Sequence, residues 1–178
     1  MKNNIILIGP VGAGKTTVSA LLSQELGLNK SSLDDIRWDI YKEKDYDFEL
    51  ANKIMKDEGF LGLYKYWKPF EAYSIKRVLE IYPNHIIDFG AGHSVYESKE
   101  LFHKVKEVLE PYPNVVLLLP SDDKEESLEI LKKRRPDFKF HHLFVNNSSN
   151  DKLAKITVYT KGKTPKDTCG EIIRRIEI

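Results

Sequence analysis

Eight consecutive residues near the N-terminus, Gly9-Pro10-Val11-Gly12-Ala13-Gly14-Lys15-Thr16, have the types and spacing that chemistry on phosphate requires, and Thr17 follows them. They match the phosphate-loop pattern G-x-x-x-x-G-K-[ST] at every position. The glycines let the backbone curl so that successive N–H groups from Val11 through Gly14 point at phosphate oxygens, and a helix starting where the loop ends adds its positive dipole end. Lys15 is expected to reach the β and γ phosphates, the Thr16 hydroxyl to ligate Mg2+, and Thr17 to reach the α-phosphate. The predicted ligand is therefore Mg-ATP; the chain has no Asn-Lys-x-Asp guanine motif, which favours adenine.

Four acidic or basic positions could complete a phosphoryl-transfer site. Asp88 closes the apolar run Ile86-Ile87, where an acid lies beside a phosphate loop and holds magnesium; otherwise it merely caps a strand end. Asp34 and Asp35 follow Lys15 by nineteen and twenty residues, after the short strand candidate Lys30-Ser31-Ser32. A carboxylate there can take the proton of an acceptor hydroxyl or orient it, and one of the two is expected to do so; the other reading is a helix cap with an acid in the first turn. Arg37, one turn on, could pair with an acceptor carboxylate or phosphate, or form a surface salt bridge.

Gly90 and Gly92, in Phe89-Gly90-Ala91-Gly92-His93-Ser94, would let backbone N–H groups approach an acceptor or the γ-phosphate, although a tight turn alone also explains them. Arg134 and Arg135 end a predicted helix, placed either to stack on adenine and clamp phosphates or simply to suit the helix C-terminus. His141 and His142 read as surface residues, because adjacent histidines point apart and no second ligand pair accompanies them. Cys169 lies in an amphipathic segment and reads as a packed thiol.

The elements that would position these groups alternate. Asn4 to Ile8, His85 to Phe89 and Val115 to Leu119 are short apolar runs ending at Gly or Pro, as in parallel strands buried on both faces, with the first expected at the centre. Ile156 to Tyr159 is a further short strand. Helical apolar spacing covers Thr17–Leu26, Ser98–Glu110, Asp123–Arg134 and Pro165–Ile176, the last opened by a capping threonine and a proline at its first position. Strand and helix in alternation predict a three-layer α/β domain with a mostly parallel sheet of about five strands.

Two stretches break the rhythm. Residues 34–82 are long, helical and rich in aromatics, and residues 135–152 are polar with little helical periodicity. They are expected to form an acceptor-side cap and a mobile lid, with most individual aromatics serving as ordinary core. At 178 residues one domain is expected. The 28 basic and 27 acidic side chains nearly cancel, which argues against a nucleic-acid or anionic-membrane protein, and no apolar run reaches the roughly 20 residues that span a bilayer. A cytoplasmic monomer or homodimer acting on a small-molecule acceptor is the expectation.

With these residues placed, the chain resembles the shikimate kinases, within the nucleoside-monophosphate-kinase-like group of P-loop kinases. The likeness implies that Asp34 handles magnesium and the acceptor hydroxyl, although the usual Asp-x-Asp is here the adjacent pair Asp34-Asp35. Trp67-Lys68-Pro69-Phe70-Glu71 aligns with the family's Phe-Arg-x-x-Glu, whose arginine grips the substrate carboxylate; here Lys68 stands in its place and Glu71 keeps the acid. Gly90-Ala91-Gly92 corresponds to the family's three glycines, and Arg134 and Pro165 to the pair that sandwiches adenine. The arginine-rich lid has no counterpart, since residues 136–155 contain no arginine.

The reading that follows is an ATP-dependent kinase for the hydroxyl of a small molecule. The other classes kept open are a nucleotide-binding regulatory switch and, because Leu33-Asp34-Asp35-Ile36-Arg37 resembles the corresponding segment of polynucleotide and zeta-toxin-like kinases, a kinase with one of those acceptors.

Overall fold

The computed structural model describes residues 3–177. Five parallel strands, β1 (Ile5–Ile8), β2 (Lys30–Ser32), β3 (Ile86–Asp88), β4 (Val115–Leu119) and β5 (Ile156–Tyr159), form one sheet in the order β2-β3-β1-β4-β5. The apolar run at the N-terminus is the central strand, as expected, pairing Leu7 with Asp88 on one side and with Val116 on the other. Successive residues of a strand face opposite sides of the sheet, so both faces of β1 must be covered. Ile5 and Leu7 pack with Val18 and Leu22 of α1 (Lys15–Leu26) and with Cys169 and Ile172 of α8 (Pro165–Arg175). Ile6 and Ile8 pack instead under α2 (Leu33–Lys42), α3 (Phe48–Ile81) and α4 (Lys99–Leu109), which supply Leu33, Ile40, Ile75, Val78, Val105 and Leu109. The sheet is thus the middle of three layers.

In an open parallel sheet, ligands enter at the carboxyl ends of the strands where the chain order reverses. That point is the gap between β1 and β3, so the turns after Ile8 and after Asp88 both open on one crevice.

The aromatic insertion is two helices that pack on each other. Within α3 the backbone breaks at Gly59, whose φ of 69° and ψ of −163° are not helical, so residues 48–58 and 60–81 run in different directions. Trp38, Tyr41, Tyr46, Tyr66, Trp67 and Phe70 form a second apolar cluster with ring centroids 5.0–6.2 Å apart in the Tyr46–Phe70, Tyr41–Tyr46 and Trp38–Trp67 pairs. Of these six rings Tyr41 and Tyr46 are buried and the other four are partly buried against them.

The polar stretch expected to be a mobile lid contains α6 (His141–Val145) and α7 (Ser149–Leu153), joined to α5 (Lys124–Arg134) by residues 135–140. Its periodicity is too short to read because each helix is little more than one turn. Side chains hold the connection instead: Asn147 Oδ1 accepts from the Ser149 N–H at 2.8 Å, and Asn150 Nδ2 donates to the Phe144 carbonyl at 3.1 Å. His141 corrects the surface expectation. It is 1% exposed, its Nε2 lies 3.0 Å from the Arg135 carbonyl, and its ring packs edge-on against Phe138.

Candidate active site

The phosphate loop runs from the end of β1 to the start of α1. Gly9 has a φ of 138°, and a Cβ there would collide with the carbonyl oxygen of Leu118 on β4, so the loop can leave the sheet only through glycine. Lys15 is 8% exposed and its Nζ donates to the carbonyls of Gly9 and Pro10, at 2.9 and 3.1 Å. Burial lowers its pKa from the ordinary lysine value, against the opposing pull of Asp88 and Asp34. Its ammonium is thus under-solvated and close to two carboxylates, a state that added phosphate charge would relieve.

Thr16 Oγ1 donates to Asp88 Oδ2 at 2.7 Å. Asp88 is 4% exposed, and burial raises its pKa above 3.8 even though Lys15 and Thr16 both favour the ionised form. A hydroxyl and one carboxylate side by side beneath a phosphate loop fit magnesium, which keeps most of its waters and takes few protein ligands. No cluster of three His, Cys, Asp or Glu side chains that could hold a metal ion occurs among the described residues.

A carboxyl whose folded pKa is raised opposes folding while it is charged, and this opposition fades as pH falls through the raised value toward 3.8. Asp88→Asn is therefore expected to melt no lower than wild type without metal, to lose the melting increment that Mg-ATP supplies, and to lose turnover. Melting curves and rates recorded from about pH 4 to 8 in both proteins check this.

Beside the loop lies a cavity of about 380 Å3 whose lining includes Val11, Asp34, Arg37, Tyr64, Trp67 and Phe138. Its size is within the range of small-molecule sites. Of the two candidate acids, Asp34 faces this cavity, and a Cβ on Gly90 would collide with Asp34 Oδ1. Gly90 has an ordinary φ of −58°, so a side chain here would meet no backbone strain but would push the Asp34 carboxylate out of its position. Asp35 is exposed and does not line the cavity; on a helix its side chain points about 100° away from that of Asp34.

Lys68 differs most from its expectation. Its Nζ donates to Glu71 Oε2 at 2.6 Å, to the Gly92 carbonyl at 2.8 Å and to the Val95 carbonyl at 3.0 Å, which uses all three of its donors. It is 6% exposed and does not line the cavity. The lysine braces the turn Ala91–Ser94 from below, and its charge is spent on the protein itself. Glu71 does line the cavity, and a Cβ on Gly92 would collide with its Oε1.

Arg134 reaches the loop, Nη1 donating to the Gly12 carbonyl at 3.2 Å, while Arg135 pairs with Asp137 at 3.1 Å. Pro165 is the exposed first residue of α8, inside a capping box in which Thr164 and Asp167 exchange hydrogen bonds. No contact between Pro165 and Arg134 is among those described.

The sequence reading missed three cavity residues. Phe138 and Phe144 come from the stretch read as polar, and Phe60 and Tyr64 of α3 meet them, with Phe60 stacked on Phe140 at 4.5 Å and Tyr64 edge-on to Phe144 at 5.9 Å. Three phenylalanines within seven residues of otherwise polar chain were the available sign. The third, His93, is fully buried at the cavity floor, its Nε2 3.4 Å from the Tyr41 hydroxyl and its Nδ1 3.3 Å from the Gly90 carbonyl. Burial pushes its pKa down to about 3, so it is neutral near pH 7 and adds no charge to the cavity.

No family model matches the chain. A shikimate kinase of Persephonella marina is 29% identical over 179 residues, covering 97% of this chain and 98% of that protein. Among solved structures, a shikimate kinase from Acinetobacter baumannii in complex with shikimate superposes with a TM-score of 0.62 at 22% identity, over 97% of this chain and 91% of that one. A gluconokinase from Sinorhizobium meliloti superposes at 0.55 with 13% identity, over 97% and 91%. The chain is similar in sequence to shikimate kinases over nearly its whole length, and its fold is that of P-loop kinases.

Proposed function

We propose that this chain, a shikimate-kinase-like phosphotransferase, moves the γ-phosphoryl group of Mg-ATP to a hydroxyl of a small molecule held in the cavity between α2, α3 and the Gly90 turn. The observation that carries the reading is the meeting of the two halves: Asp34 lines the acceptor cavity and also acts electrostatically on Lys15, the buried lysine of the phosphate loop. An acceptor oxygen attacking the γ-phosphorus would form a new P–O bond as the bond to the β–γ bridging oxygen breaks. Its proton would pass to the Asp34 carboxylate and then to solvent.

Lys15 would stabilise charge on the transferred group from within a site where burial strengthens the interaction. Thr16 and Asp88 would hold magnesium, which when bound neutralises charge on the β and γ oxygens. Arg134, which donates to the Gly12 carbonyl, would cover the nucleotide from α5. Asp35 has no part in this scheme. Residues 34–82 act as the acceptor-side cap and 135–152 as the cover whose phenylalanines close the cavity. A requirement for ATP and a lone, buried cysteine suit a cytoplasmic enzyme, and no helix among the described residues is long and apolar enough to cross a membrane.

Coupled ADP release with Mg-ATP, alone and with a panel of shikimate, sugars, sugar acids and nucleosides, tests the reading. Acceptor-dependent release is expected. Tight ATP binding without release for any hydroxyl compound would instead favour a regulatory nucleotide-binding module, and release driven by an oligonucleotide 5′-hydroxyl would move the acceptor to nucleic acid.

A further inference from the structure

Arg37 of α2 lies in the wall of the acceptor cavity with most of its bonding capacity unused. A guanidinium carries five N–H donors in one plane. Among the described residues that of Arg37 makes one hydrogen bond, from Nη1 to Asp34 Oδ1 at 3.4 Å, well beyond the 2.7–2.9 Å of a good charge-assisted bond. The Asp34 side chain is 54% exposed, so that pair is worth little. Nε of Arg37 is buried with no partner at all. The group is nonetheless held in place: its central carbon lies 4.4 Å from the ring centre of Trp38 and 5.1 Å from that of Trp67. Stacking on indole fixes the plane of the fork while leaving its edge free to meet a ligand.

The remaining charges at the cavity explain why this fork is available. Lys68 is neutralised by Glu71 and lies behind the wall, and His93 is uncharged. Arg37 is the one cation among the described residues that line the cavity. Resting on the kinase reading above, we propose that Arg37 grips a carboxylate or phosphate which the acceptor carries apart from its reacting hydroxyl. Recognition of the acceptor's anionic end thereby comes from α2, and the lysine of α3 serves only as structure. The reacting hydroxyl then sits at Asp34, one helical turn from the grip, so the acceptor is a compact hydroxy acid or hydroxyalkyl phosphate whose apolar face rests on Tyr64, Trp67 and Phe138.

The protein's two tryptophans are Trp38 and Trp67, both against this guanidinium, so intrinsic fluorescence reads the site directly and does not depend on turnover. In the presence of Mg-ADP, shikimate is titrated against its methyl ester, gluconate against glucose, and glycerol 3-phosphate against glycerol. At least one anionic member is expected to saturate the signal, with its neutral counterpart about 10- to 100-fold weaker, the range expected for losing one charge-assisted interaction. Arg37→Gln should abolish the difference and Arg37→Lys should keep part of it, both variants retaining Mg-ATP binding as the check on folding. Which pair shows the effect decides between carboxylate and phosphate.

Equal binding of neutral and anionic partners, the absence of any saturating anion, or an anion preference that survives Arg37→Gln would each overturn the assignment. ADP release separates this from the kinase reading. Anion binding without release for any acceptor would sink the kinase and leave the grip standing, whereas release supported by neutral acceptors alone would do the reverse.

Discussion

Replacing Lys15 with methionine is expected to lower turnover by about a thousandfold or more while leaving the melting temperature unchanged or raised. The first half follows from position. Lys15 is the one buried ammonium of the phosphate loop, and loss of a single preorganised charge partner in a water-poor site costs about 100- to 1,000-fold, with cationic groups on the transferred phosphoryl at the upper end or beyond. The second half follows from burial. The folded-state pKa of Lys15 is lowered, so its charged form opposes folding at every pH below that lowered value, and the opposition fades only as pH rises through it toward 10.5. Methionine keeps the apolar stem, removes the charge and gives up two hydrogen bonds to the loop's own carbonyls. Steady-state ADP release and thermal melting, measured together, check both halves. A variant that loses activity only because it melts early would refute this account of the lysine, and so would one that turns over at wild-type rate.

The architecture was readable because each strand signal was local. The runs at β1, β3 and β4 are apolar on both faces, as only strands covered by helices on each side need to be, and the phosphate loop states its own conformation through glycine. The acceptor side was legible only in part, since its chemistry depends on which charges meet in space. Asp34 and Asp35 are equivalent in sequence, and only the rotation of α2 against the Gly90 turn separates them. Lys68 carries the same charge as the arginine it replaces in the resemblance; what changes its role is the presence of three acceptors at 2.6–3.0 Å, two of them carbonyls of a turn more than twenty residues away. The phenylalanines of residues 138–144 were hidden because one-turn helices leave no measurable period.

Breaking the Lys68–Glu71 pair on one side is expected to be the most destabilising change at the site, and removing both partners much less so. The two side chains are 7% and 3% exposed and meet at 2.6 Å. Desolvating two ions is costly, so the pair itself need not stabilise the fold; what is expensive is a buried charge left alone, at about 3–5 kcal/mol. Glu71→Leu would leave the ammonium with the Gly92 and Val95 carbonyls and the ring of Tyr64, whose centre is 3.9 Å away. Those contacts soften the loss without replacing the counter-charge. Lys68→Met would strand the carboxylate and also strip both carbonyls of a donor, at about 1 kcal/mol or more each, so it should be the worse of the two. The double variant removes both charges and keeps only the carbonyl penalty. It should therefore fall short of the summed singles by several kcal/mol, a large share of the 5–15 kcal/mol that holds a domain of this size together. Urea denaturation of the four proteins measures this directly. Additive losses would mean that the two charges act independently. In that case Lys68 could turn toward the cavity, and the assignment of acceptor recognition to Arg37 would lose its main support.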